Sequence, residues 1–574
     1  MRALRSKFQT AVCIGLMLLA GLAGQSFLAA QNLPAEVIQY ADLVLFNGKI
    51  ITADGQFSMA EAAAIRDGRF LAVGNNQRIL AMAGPQTRRV DLDGRSVIPG
   101  MIATHQHGYI GNSSKSGGVR LEFKSIQSGL EEIRAATAKF APGEEMWMAG
   151  PSNMPMTVDV TLAELDSAAP NNPFVISCPN NQVIVNSLML NKLLPVAQGM
   201  DGILKDENGN YTGQIRGGPA GMLLYEMMPW HDDFDDAVAR ERESLKRWGP
   251  RGITTLMGRG QGQTVSILRE LWLKDELPVR VRLAHEMLRS QPRPEAFLKR
   301  VGNLTDFGDD WMKIIGATIQ VVDGSGGPGA HLTTYPKLNL AELDAYGPFG
   351  WNKWEATGNV ATSDRQTIKL ANRYGWSIMA LHSEGDQSNN LFLEAFYEAH
   401  QEKSLAGRHW GFDHQKGLSP HQFNLIKEMG ISVSMDAGAF SGSNDSLVHM
   451  YGADRVNTLS PVKTAINAGI RPSIEIGGGL ESIQSFVMRQ SEDGRVWNPD
   501  ERVSREEALK MYTIWAAEYS GEQDRLGSIE AGKLGDLVVL GGDYMTWPAE
   551  DLGSLRVLMT VVGGKIVHET SGAF

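Results

Sequence analysis

The sequence predicts an α/β fold, specifically a (β/α)8 barrel, and three observations carry this prediction. Apolar segments typical of strands alternate with helical segments through the middle of the chain, which is the pattern of parallel βα units. Short strand-like segments separated by tight turns occupy both ends of the chain instead. An apolar segment from Val97 onward ends in His105 and His107, and barrel enzymes keep their sites at the carboxyl ends of such strands.

Length and composition bound the class of protein. With 574 residues, the chain is long enough for one barrel with attached pieces or for two to three domains. Its apolar content of 43% and charged content of 21% are ordinary for a globular protein and argue against disorder. The formal charge of −11 argues against nucleic-acid and anionic-membrane partners, because both need a basic surface. We therefore expect a small-molecule substrate, and the sequence leaves open whether the chain forms a homo-oligomer.

Residues 1–30 are typical of a secretory leader. A basic start precedes an apolar run from Ala11 to Gly24, and Leu28-Ala29-Ala30 provides a cleavage site. The run is short and rich in glycine for a membrane span, although an uncleaved anchor is the alternative. We expect an exported, periplasmic protein without stable membrane association after cleavage. Its mature chain would keep only Cys178 and so could form no internal disulfide.

The two ends of the chain predict one shared domain. Strand-like segments start at Ala41, and Asp67-Gly68 is a strong signal for a two-residue hairpin turn. Similar segments return only near the C-terminus, for example at Val557 to Val567. We predict a composite β-sandwich built from residues 41–97 and 525–574.

Residues 98–524 between these ends predict the barrel. An insertion at about 110–250 is too long for a loop and predicts a subdomain of its own. Two helices are expected at Asn389–His400 and Ser504–Tyr519, the second capped by Ser504 with Glu507 three residues later. The predicted strands after the insertion are Gly252–Met257, Val279–Ala284, Trp311–Ile315, Ser377–His382, His409–His414, Ile431–Met435 and Arg471–Ile476.

Four histidines at strand ends predict a metal site. His105 and His107 are two residues apart, so on a strand both imidazoles leave the same face and can hold one ion. His382 and His414 each close another apolar segment. Any one of them alone could be a hydrogen-bonded core histidine, but strand ends of one barrel converge on its mouth. Imidazole ligands suit zinc, and less specifically iron, copper, nickel or manganese.

These motifs resemble the amidohydrolase superfamily, in particular amidohydrolase family 3, from about Ala41 to the C-terminus. The resemblance implies a metal-containing barrel beside a composite β-sandwich, and hydrolysis of amide, related C–N or ester bonds by metal-activated water. The segments that carry it are Pro99-Gly100-Met101-Ile102, His105-Gln106-His107, Tyr211-Thr212-Gly213-Gln214-Ile215, Asp323-Gly324, His382 with Gly385-Asp386, Asp413-His414, Glu507-Ala508-Leu509 with Thr513, and Leu526 to Leu537.

Two departures from the family pattern bear on mechanism. The family carries a metal-bridging lysine before the Asp-Gly step; here the nearest is Lys313, which serves only if its strand is registered differently and otherwise faces solvent. The family also ends its eighth strand in an aspartate that transfers protons, and Gly479 occupies that slot. Glu475 or Glu481 could stand in for it, or each could be an ordinary surface or strand-end carboxylate.

The resulting hypothesis is an enzyme that binds one divalent ion, zinc before other metals, and hydrolyses a small amide, ester or lactone. One ion is favoured over two because two would need a bridging anion to offset their repulsion. His105, His107, His382 and His414 are the expected ligands, with Lys313 as a further candidate, and Asp323 and Glu481 are the candidate catalytic acids. A non-hydrolytic metal enzyme (lyase, hydratase or isomerase) and a catalytically silent binding protein are the alternatives.

Overall fold

A computed structural model describes residues 39–106, 119–150, 159–177, 182–197, 203–216, 224, 227, 234–260, 262–288, 293–319, 364–436, 448, 452–475 and 477–574. The predicted leader, His107, Cys178 and Asp323 lie outside these ranges. Within them, no helix combines the length and the hydropathy that a membrane crossing requires.

The strands and helices of the described residues are labelled in chain order. The strands are β1 (Ala41–Phe46), β2 (Lys49–Ile51), β3 (Met59–Ala60), β4 (Ala62–Arg66), β5 (Arg69–Gly74), β6 (Ala83–Asp91), β7 (Ser96–Pro99), β8 (Met101–Gln106), β9 (Met146–Ala149), β10 (Phe174–Ser177), β11 (Gln182–Val185), β12 (Ile203–Lys205), β13 (Tyr211–Arg216), β14 (Ile253–Gly260), β15 (Arg280–His285), β16 (Phe307–Gly308), β17 (Met312–Ala317), β18 (Leu381–His382), β19 (Gly411–Asp413), β20 (Ser432–Met435), β21 (Ser473–Ile474), β22 (Leu537–Leu540), β23 (Val557–Val562) and β24 (Lys565–Glu569). The helices are α1 (Asn76–Leu80), α2 (Ile126–Thr137), α3 (Leu162–Ala168), α4 (Ser187–Leu193), α5 (Phe234–Lys246), α6 (Gly262–Leu273), α7 (Pro294–Val301), α8 (Asp364–Arg373), α9 (Asp386–Glu402), α10 (Phe423–Met429), α11 (Ala453–Val456), α12 (Val462–Asn467), α13 (Leu480–Met488), α14 (Arg505–Met511) and α15 (Ile514–Tyr519). Short 3-10 segments lie at Gly249–Arg251, Glu286–Leu288, Pro420–Gln422, Pro499–Glu501 and Ala549–Ser554.

Strands from the two ends of the chain pair with each other. One sheet has the order β24-β23-β22-β7-β2-β3, and a second, purely N-terminal sheet has the order β5-β4-β1-β6. Leu45, Val97 and Val539 are buried in one core that both sheets share. The predicted hairpin at Asp67-Gly68 is confirmed, because these two residues alone connect β4 to β5 and both have positive φ.

The segment between β8 and β14 contains a five-stranded sheet of order β12-β13-β11-β10-β9. Alternate residues of β10 face opposite sides of this sheet, as the two-residue period of a strand requires. Phe174 and Ile176 pack with Leu130 and Ile133 of α2. Val175 packs on the other side with Leu190 of α4, so both faces of the sheet are covered.

Two further sheets are parallel. In the first, β17, β15, β14 and β8 lie side by side, and β16 pairs antiparallel at its outer edge. In the second, β18 to β21 follow one another in chain order. The sheets meet at both edges, where Ala317 pairs with Ile378 and the amide of His105 donates to the carbonyl of Glu475 at 3.0 Å. The predicted α/β class is confirmed.

The predicted strands after the insertion correspond to β14, β15, β17, β18, β19, β20 and β21. Two strands are each four residues shorter than predicted: β18 covers Leu381–His382 instead of Ser377–His382, and β21 covers Ser473–Ile474 instead of Arg471–Ile476. Ala380 has a φ of 52°, so the backbone before Leu381 cannot keep the extended geometry of a strand.

The helix predicted over Ser504–Tyr519 is divided into α14 and α15. Its cap is confirmed, since the Ser504 hydroxyl accepts from the Glu507 amide at 3.1 Å and the Glu507 carboxylate accepts from the Ser504 amide at 2.8 Å. Thr513, with φ −133° and ψ −94°, lies outside helical geometry and separates the two helices. This break sets the direction of α15, which ends at the buried Tyr519.

A buried ion pair joins the parallel sheets to the C-terminal strands. Arg280, at the start of β15, donates from Nε and Nη2 to the two carboxylate oxygens of Asp536 at 2.7 and 2.8 Å. Asp536 also accepts from the amide of Gly563 at 2.7 Å. Both side chains of the pair are almost completely buried. Removing either partner would therefore leave the other without the charge that compensates its desolvation.

We predict that Asp536→Asn destabilises the protein by about 3–5 kcal/mol, because it leaves the Arg280 charge buried without a counter-charge. The matched control is Glu569→Gln, which removes an ion pair with Arg88 that is partly exposed to solvent and should cost less than about 1 kcal/mol. Chemical denaturation of both variants measures the difference. Equal losses of unfolding free energy in the two variants would show that the buried pair stabilises the connection between these parts of the fold no more than an exposed ion pair does.

Candidate metal centre

Three of the predicted histidines lie together at the carboxyl ends of three parallel strands. His105 is the penultimate residue of β8, His382 ends β18, and His414 follows β19. All three side chains are buried. The ring of His414 lies between the other two, with ring centroids 4.4 Å from His105 and 4.2 Å from His382. The structure thus brings together the histidines that the sequence placed on three separate segments.

Two of these imidazoles are held by buried carboxylates. The Nδ1 atom of His105 hydrogen-bonds Asp413 Oδ2, and the Nδ1 atom of His414 contacts Glu475 Oε1. Glu475 also accepts from the amide of His414 through Oε2 at 2.7 Å. The hydrogen bond of His105 with Asp413 fixes the tautomer with the proton on Nδ1, so Nε2 is the nitrogen that can ligate a metal. The contact of His414 Nδ1 with the Glu475 carboxylate favours the same tautomer. Burial lowers the pKa of His105 although Asp413 opposes this effect. The lowered pKa favours the neutral imidazole that metal ligation requires.

The donor set fits a divalent cation. One ligand atom each from His105, His414 and Glu475 lies within 4.8 Å of the others, and all three residues are buried. The pKa of Glu475 is raised well above its usual range by burial and then by the negative charges of Asp436 and Asp413. A positive ion among these groups would offset that repulsion, and two imidazoles with a carboxylate are ligands that zinc accepts.

A second charged group lies beside His382. Glu384 Oε1 is 3.4 Å from His382 Nε2, and Lys416 Nζ lies 3.2 Å from Glu384 Oε2 and 3.3 Å from Asp436 Oδ2. Burial opposes the ionisation of Glu384, but the charge of Lys416 and the hydrogen bond from His382 outweigh it and lower its pKa to about 2. Glu384 therefore stays ionised at neutral pH. Through these two ion pairs, Lys416 connects the ends of β18, β19 and β20.

Hydroxyl groups fix the register of the strands beneath the histidines. Thr104 Oγ1, next to His105, lies 2.7 Å from Ser434 Oγ and 3.0 Å from Ser473 Oγ. It also donates to the carbonyl of Ile474 at 3.0 Å. These buried contacts join β8 to β20 and β21, so they fix the height at which His105 faces Glu475.

Gly479 and its two candidate substitutes, Glu475 and Glu481, lie in different surroundings. Gly479 has a φ of 66° at the start of α13, and a Cβ placed there would lie 2.7 Å from the carbonyl oxygen of Arg251. An aspartate at this position would be strained and crowded. Glu481 is exposed on the first turn of α13, with its Cγ near Gly553, and is not among the groups brought together at the histidines. The carboxylate at the end of β21 that faces the histidines is Glu475.

Lys313 is also placed away from the histidines. It is the second residue of β17, about 13 Å of extended strand before the end at Ala317. Its ammonium donates to Glu522 Oε1 at 2.9 Å, next to the bidentate contact of Arg282 with the same carboxylate. The solvent-facing alternative is wrong, because Lys313 is buried and completes an ion cluster with Arg282 and Glu522. Its role as a metal ligand stays a prediction. His107 and Asp323, outside the described residues, stay predictions.

Some residues of the site could not be singled out from the sequence. Four charged residues have no predicted role in the site although they lie within three residues of a strand end, and that position is the signal that could have found them: Asp413, Glu384, Lys416 and Asp436. His285, which is not among the four histidines predicted as ligands, is the last residue of β15. Tyr519, which contacts Asp413, carries no local signal because it ends a helix distant in sequence.

An α/β fold with buried imidazoles and carboxylates at the carboxyl ends of parallel strands is typical of metal-dependent enzymes. The model of the amidohydrolase family matches residues 88–568, and the chain therefore belongs to the amidohydrolase family. This confirms the resemblance drawn from the motifs. Membership makes the protein an enzyme of the metal-dependent hydrolase class.

Curated relatives align over nearly the full chain. N-substituted formamide deformylase of Arthrobacter pascens is 26% identical over 93% of this chain and 100% of that protein. The putative amidohydrolase YtcJ of Bacillus subtilis (strain 168) is 25% identical over 91% of this chain and 99% of that protein. Among solved structures, an uncharacterized metal-dependent hydrolase from Pyrococcus horikoshii OT3 is 17% identical, with a TM-score of 0.64 over 88% of this chain and 99% of that one. The similarity to the Pyrococcus structure shows a shared fold and nothing further.

The ion cluster around Lys313 predicts a dependence of stability on pH. Burial would raise the pKa of Glu522, but Arg282 and Lys313 outweigh this effect and lower its pKa below the ordinary value. A lowered carboxyl pKa contributes stability above the unfolded-state value of about 4.5, and that contribution is lost as pH falls through the folded-state value. Glu522→Gln should therefore reduce the unfolding free energy by about 3–5 kcal/mol near pH 7. The difference from wild type should shrink progressively below about pH 4.5.

Denaturation curves at a series of pH values check this prediction. The matched control is Glu243→Gln, which removes an exposed ion pair with Lys246 and should cost less than about 1 kcal/mol at every pH. A loss in Glu522→Gln that is independent of pH would contradict the proposed cluster.

Proposed function

We propose that the protein hydrolyses a small non-peptide amide at its C–N bond, with small esters and lactones as weaker candidates. The observation that carries this proposal is the buried cluster of His105, His414 and Glu475 at the carboxyl ends of parallel strands. The full-length similarity to an N-substituted formamide deformylase supports an amide as the first substrate to test. Zinc is the proposed ion, because imidazole and carboxylate ligands suit it.

Each residue of the site would have a separate role in this hydrolysis. His105 and His414 would hold the ion through Nε2, and His382, in ring contact with His414, is a further candidate ligand. A divalent ion bound there lowers the pKa of a water molecule toward neutrality and polarises a substrate carbonyl. Asp413 and Glu475 keep Nδ1 of the two imidazoles protonated and so keep Nε2 directed to the ion.

Departure of an amide nitrogen requires a proton, and the position of Glu475 makes it the candidate carrier. It directly follows β21, the last of the parallel strands, four residues before Gly479, which occupies the slot of the family's proton-transferring aspartate. Lys416 holds Glu384 and Asp436 in place beside it and presents a positive charge to the same mouth. We propose Lys416 as the group that would orient a polar substituent of the substrate.

One ion per chain is proposed over two. The donors grouped among the described residues form a single cluster, and the nearest lysine to the bridging slot is bound to Glu522. Two adjacent cations would need an anion between them to offset their repulsion. Lys313 does not supply it, so the described part of the chain favours a mononuclear site.

Three further statements about organisation are proposals as well. The eight parallel strands β8, β14, β15 and β17 to β21 would close into a (β/α)8 barrel, supported by the contacts at both edges of their sheets. Residues 41–97 with 525–574 would form a composite β-sandwich domain, and 98–524 the barrel with its insertion at about 110–250. The leader composition of residues 1–30 supports export to the periplasm.

Metal binding and hydrolysis can be tested together. We predict that wild-type protein, stripped with a chelator and reloaded with Zn²⁺, holds one ion per chain and releases amine from N-substituted formamides. His105→Ala and His414→Ala should each weaken Zn²⁺ binding by more than the roughly 10–100-fold typical of outer-shell changes, because each removes a ligand. Elemental analysis and chelator competition measure the binding.

The control variant is His421→Ala, since His421 contacts only Asn390 among the hydrogen bonds described for its ring and lies outside the site. Unchanged Zn²⁺ affinity in the two ligand variants would refute the site. Zn²⁺ binding without hydrolysis of any amide, ester or lactone would favour the lyase, hydratase or isomerase alternative. A folded wild-type chain that binds no metal would favour the silent binding protein.

A further inference from the structure

Tyr519 is a buried tyrosine whose hydroxyl contacts the strands that carry the histidines. It is the last residue of α15 and only 1% exposed. Its hydroxyl accepts from the amide of Ala380 at 3.2 Å and donates to Asp413 Oδ1. Both hydrogen-bonding roles of the phenol are thus used inside the protein.

The contact with Asp413 leads directly to a candidate metal ligand. Asp413 uses Oδ1 for the Tyr519 hydroxyl and Oδ2 for Nδ1 of His105. The torsion that rotates a carboxylate is soft, so one hydrogen bond alone would leave the plane of this group loosely defined. Two bonds from opposite sides fix the plane, and with it the direction in which His105 presents Nε2.

The hydrogen bond with Ala380 connects Tyr519 to the segment that leads into β18, the strand of His382. Ala380 has a φ of 52°, an uncommon conformation for a residue with a Cβ, and lies two residues before His382. Its amide is bound by Tyr519, and its carbonyl accepts from Arg259 Nε at 2.7 Å and Thr318 Oγ1 at 3.2 Å. The turn that leads into His382 is therefore held by hydrogen bonds at both the amide and the carbonyl of Ala380.

The backbone of β19 leaves room for this arrangement. A Cβ placed on Gly411 would lie 2.7 Å from both the Cζ and the hydroxyl oxygen of Tyr519. Only a residue without a side chain lets the phenol reach Asp413 two positions further along the strand. His414 follows Asp413, so a single hydroxyl touches the strands of His382 and His414 and, through Asp413, the imidazole of His105.

We infer that Tyr519 is a positioning residue of the metal centre. It holds the Asp413 carboxylate that orients His105 and anchors the turn that leads to His382, and it thereby raises the affinity for the metal. The inference rests on the proposed metal site and adds a residue from outside the ligand set. Removing a residue that orients a metal ligand in this way typically changes metal affinity by about 10–100-fold.

Tyr544 provides a matched control. It is also completely buried, and its hydroxyl donates to the carbonyl of Arg505 at 2.8 Å. That hydrogen bond does not involve any candidate ligand or its carboxylate partner. Tyr544→Phe therefore removes the same atom from an equally buried setting, and it tests for a loss that is merely structural.

The experiment compares Zn²⁺ affinity by competition with a chromophoric chelator. Tyr519→Phe should raise the Zn²⁺ dissociation constant by about 10–100-fold, and Tyr544→Phe should leave it unchanged. The absorption spectrum of bound Co²⁺ should change in Tyr519→Phe only, because that spectrum reports ligand geometry. Unfolding of the metal-free variants shows whether the two substitutions cost similar stability.

A double-variant cycle tests whether Tyr519 acts through Asp413. Tyr519→Phe should weaken Zn²⁺ binding less in the Asp413→Asn background than in wild type, because only the contact with Ala380 remains to be lost, whereas independent effects would add fully. Full additivity, or a Tyr519→Phe protein with wild-type Zn²⁺ affinity and Co²⁺ spectrum, overturns the inference and leaves the proposed function standing. Wild-type protein that binds neither ion overturns both.

Discussion

The pairing of buried imidazoles with buried carboxylates is the interaction on which the rest of the site depends. The two pairs interlock across strands: Asp413, from the strand of His414, holds His105 on β8, while Glu475 on β21 holds His414. Each pair exists only if the strands keep their register, so the geometry of the site is a consequence of the parallel sheets. The hydroxyl cluster around Thr104 supports that register from below. Folding and ligand orientation are therefore set by the same contacts.

Charge compensation explains why the two ends of the parallel strands differ. At their amino ends, the chain supplies its own cations: Arg282 and Lys313 surround Glu522, and Arg280 faces Asp536. At the carboxyl ends, the carboxylates of Asp413, Glu475, Glu384 and Asp436 gather around the histidines. Lys416 is bound to two of them. Asp436 and Asp413 raise the pKa of Glu475 through their negative charges, and a divalent ion bound there would offset this repulsion.

Sequence patterns predict this fold better than they predict its site. Long apolar segments located the parallel strands, and they placed His105, His382 and His414 at strand ends, because strand direction follows from local pattern. Choosing among Glu475, Glu481 and Lys313 required knowing which side chain turns inward, and that depends on packing between distant segments. The break at Thr513 lies within a continuous helical pattern and is set by tertiary contacts. It directs Tyr519 toward Asp413, 106 positions away in the chain, and no local signal reports such a contact.

The central claim is that His105 and His414 ligate one ion through Nε2 while their Nδ1 atoms bind carboxylates. An anomalous-difference map at the zinc edge, from crystals of the full chain grown with Zn²⁺, tests it most directly. We predict one zinc peak bonded to Nε2 of both histidines, with Asp413 still at Nδ1 of His105. A peak bonded to an Nδ1 atom, a second zinc beside Lys313, or no peak at these histidines would contradict the account.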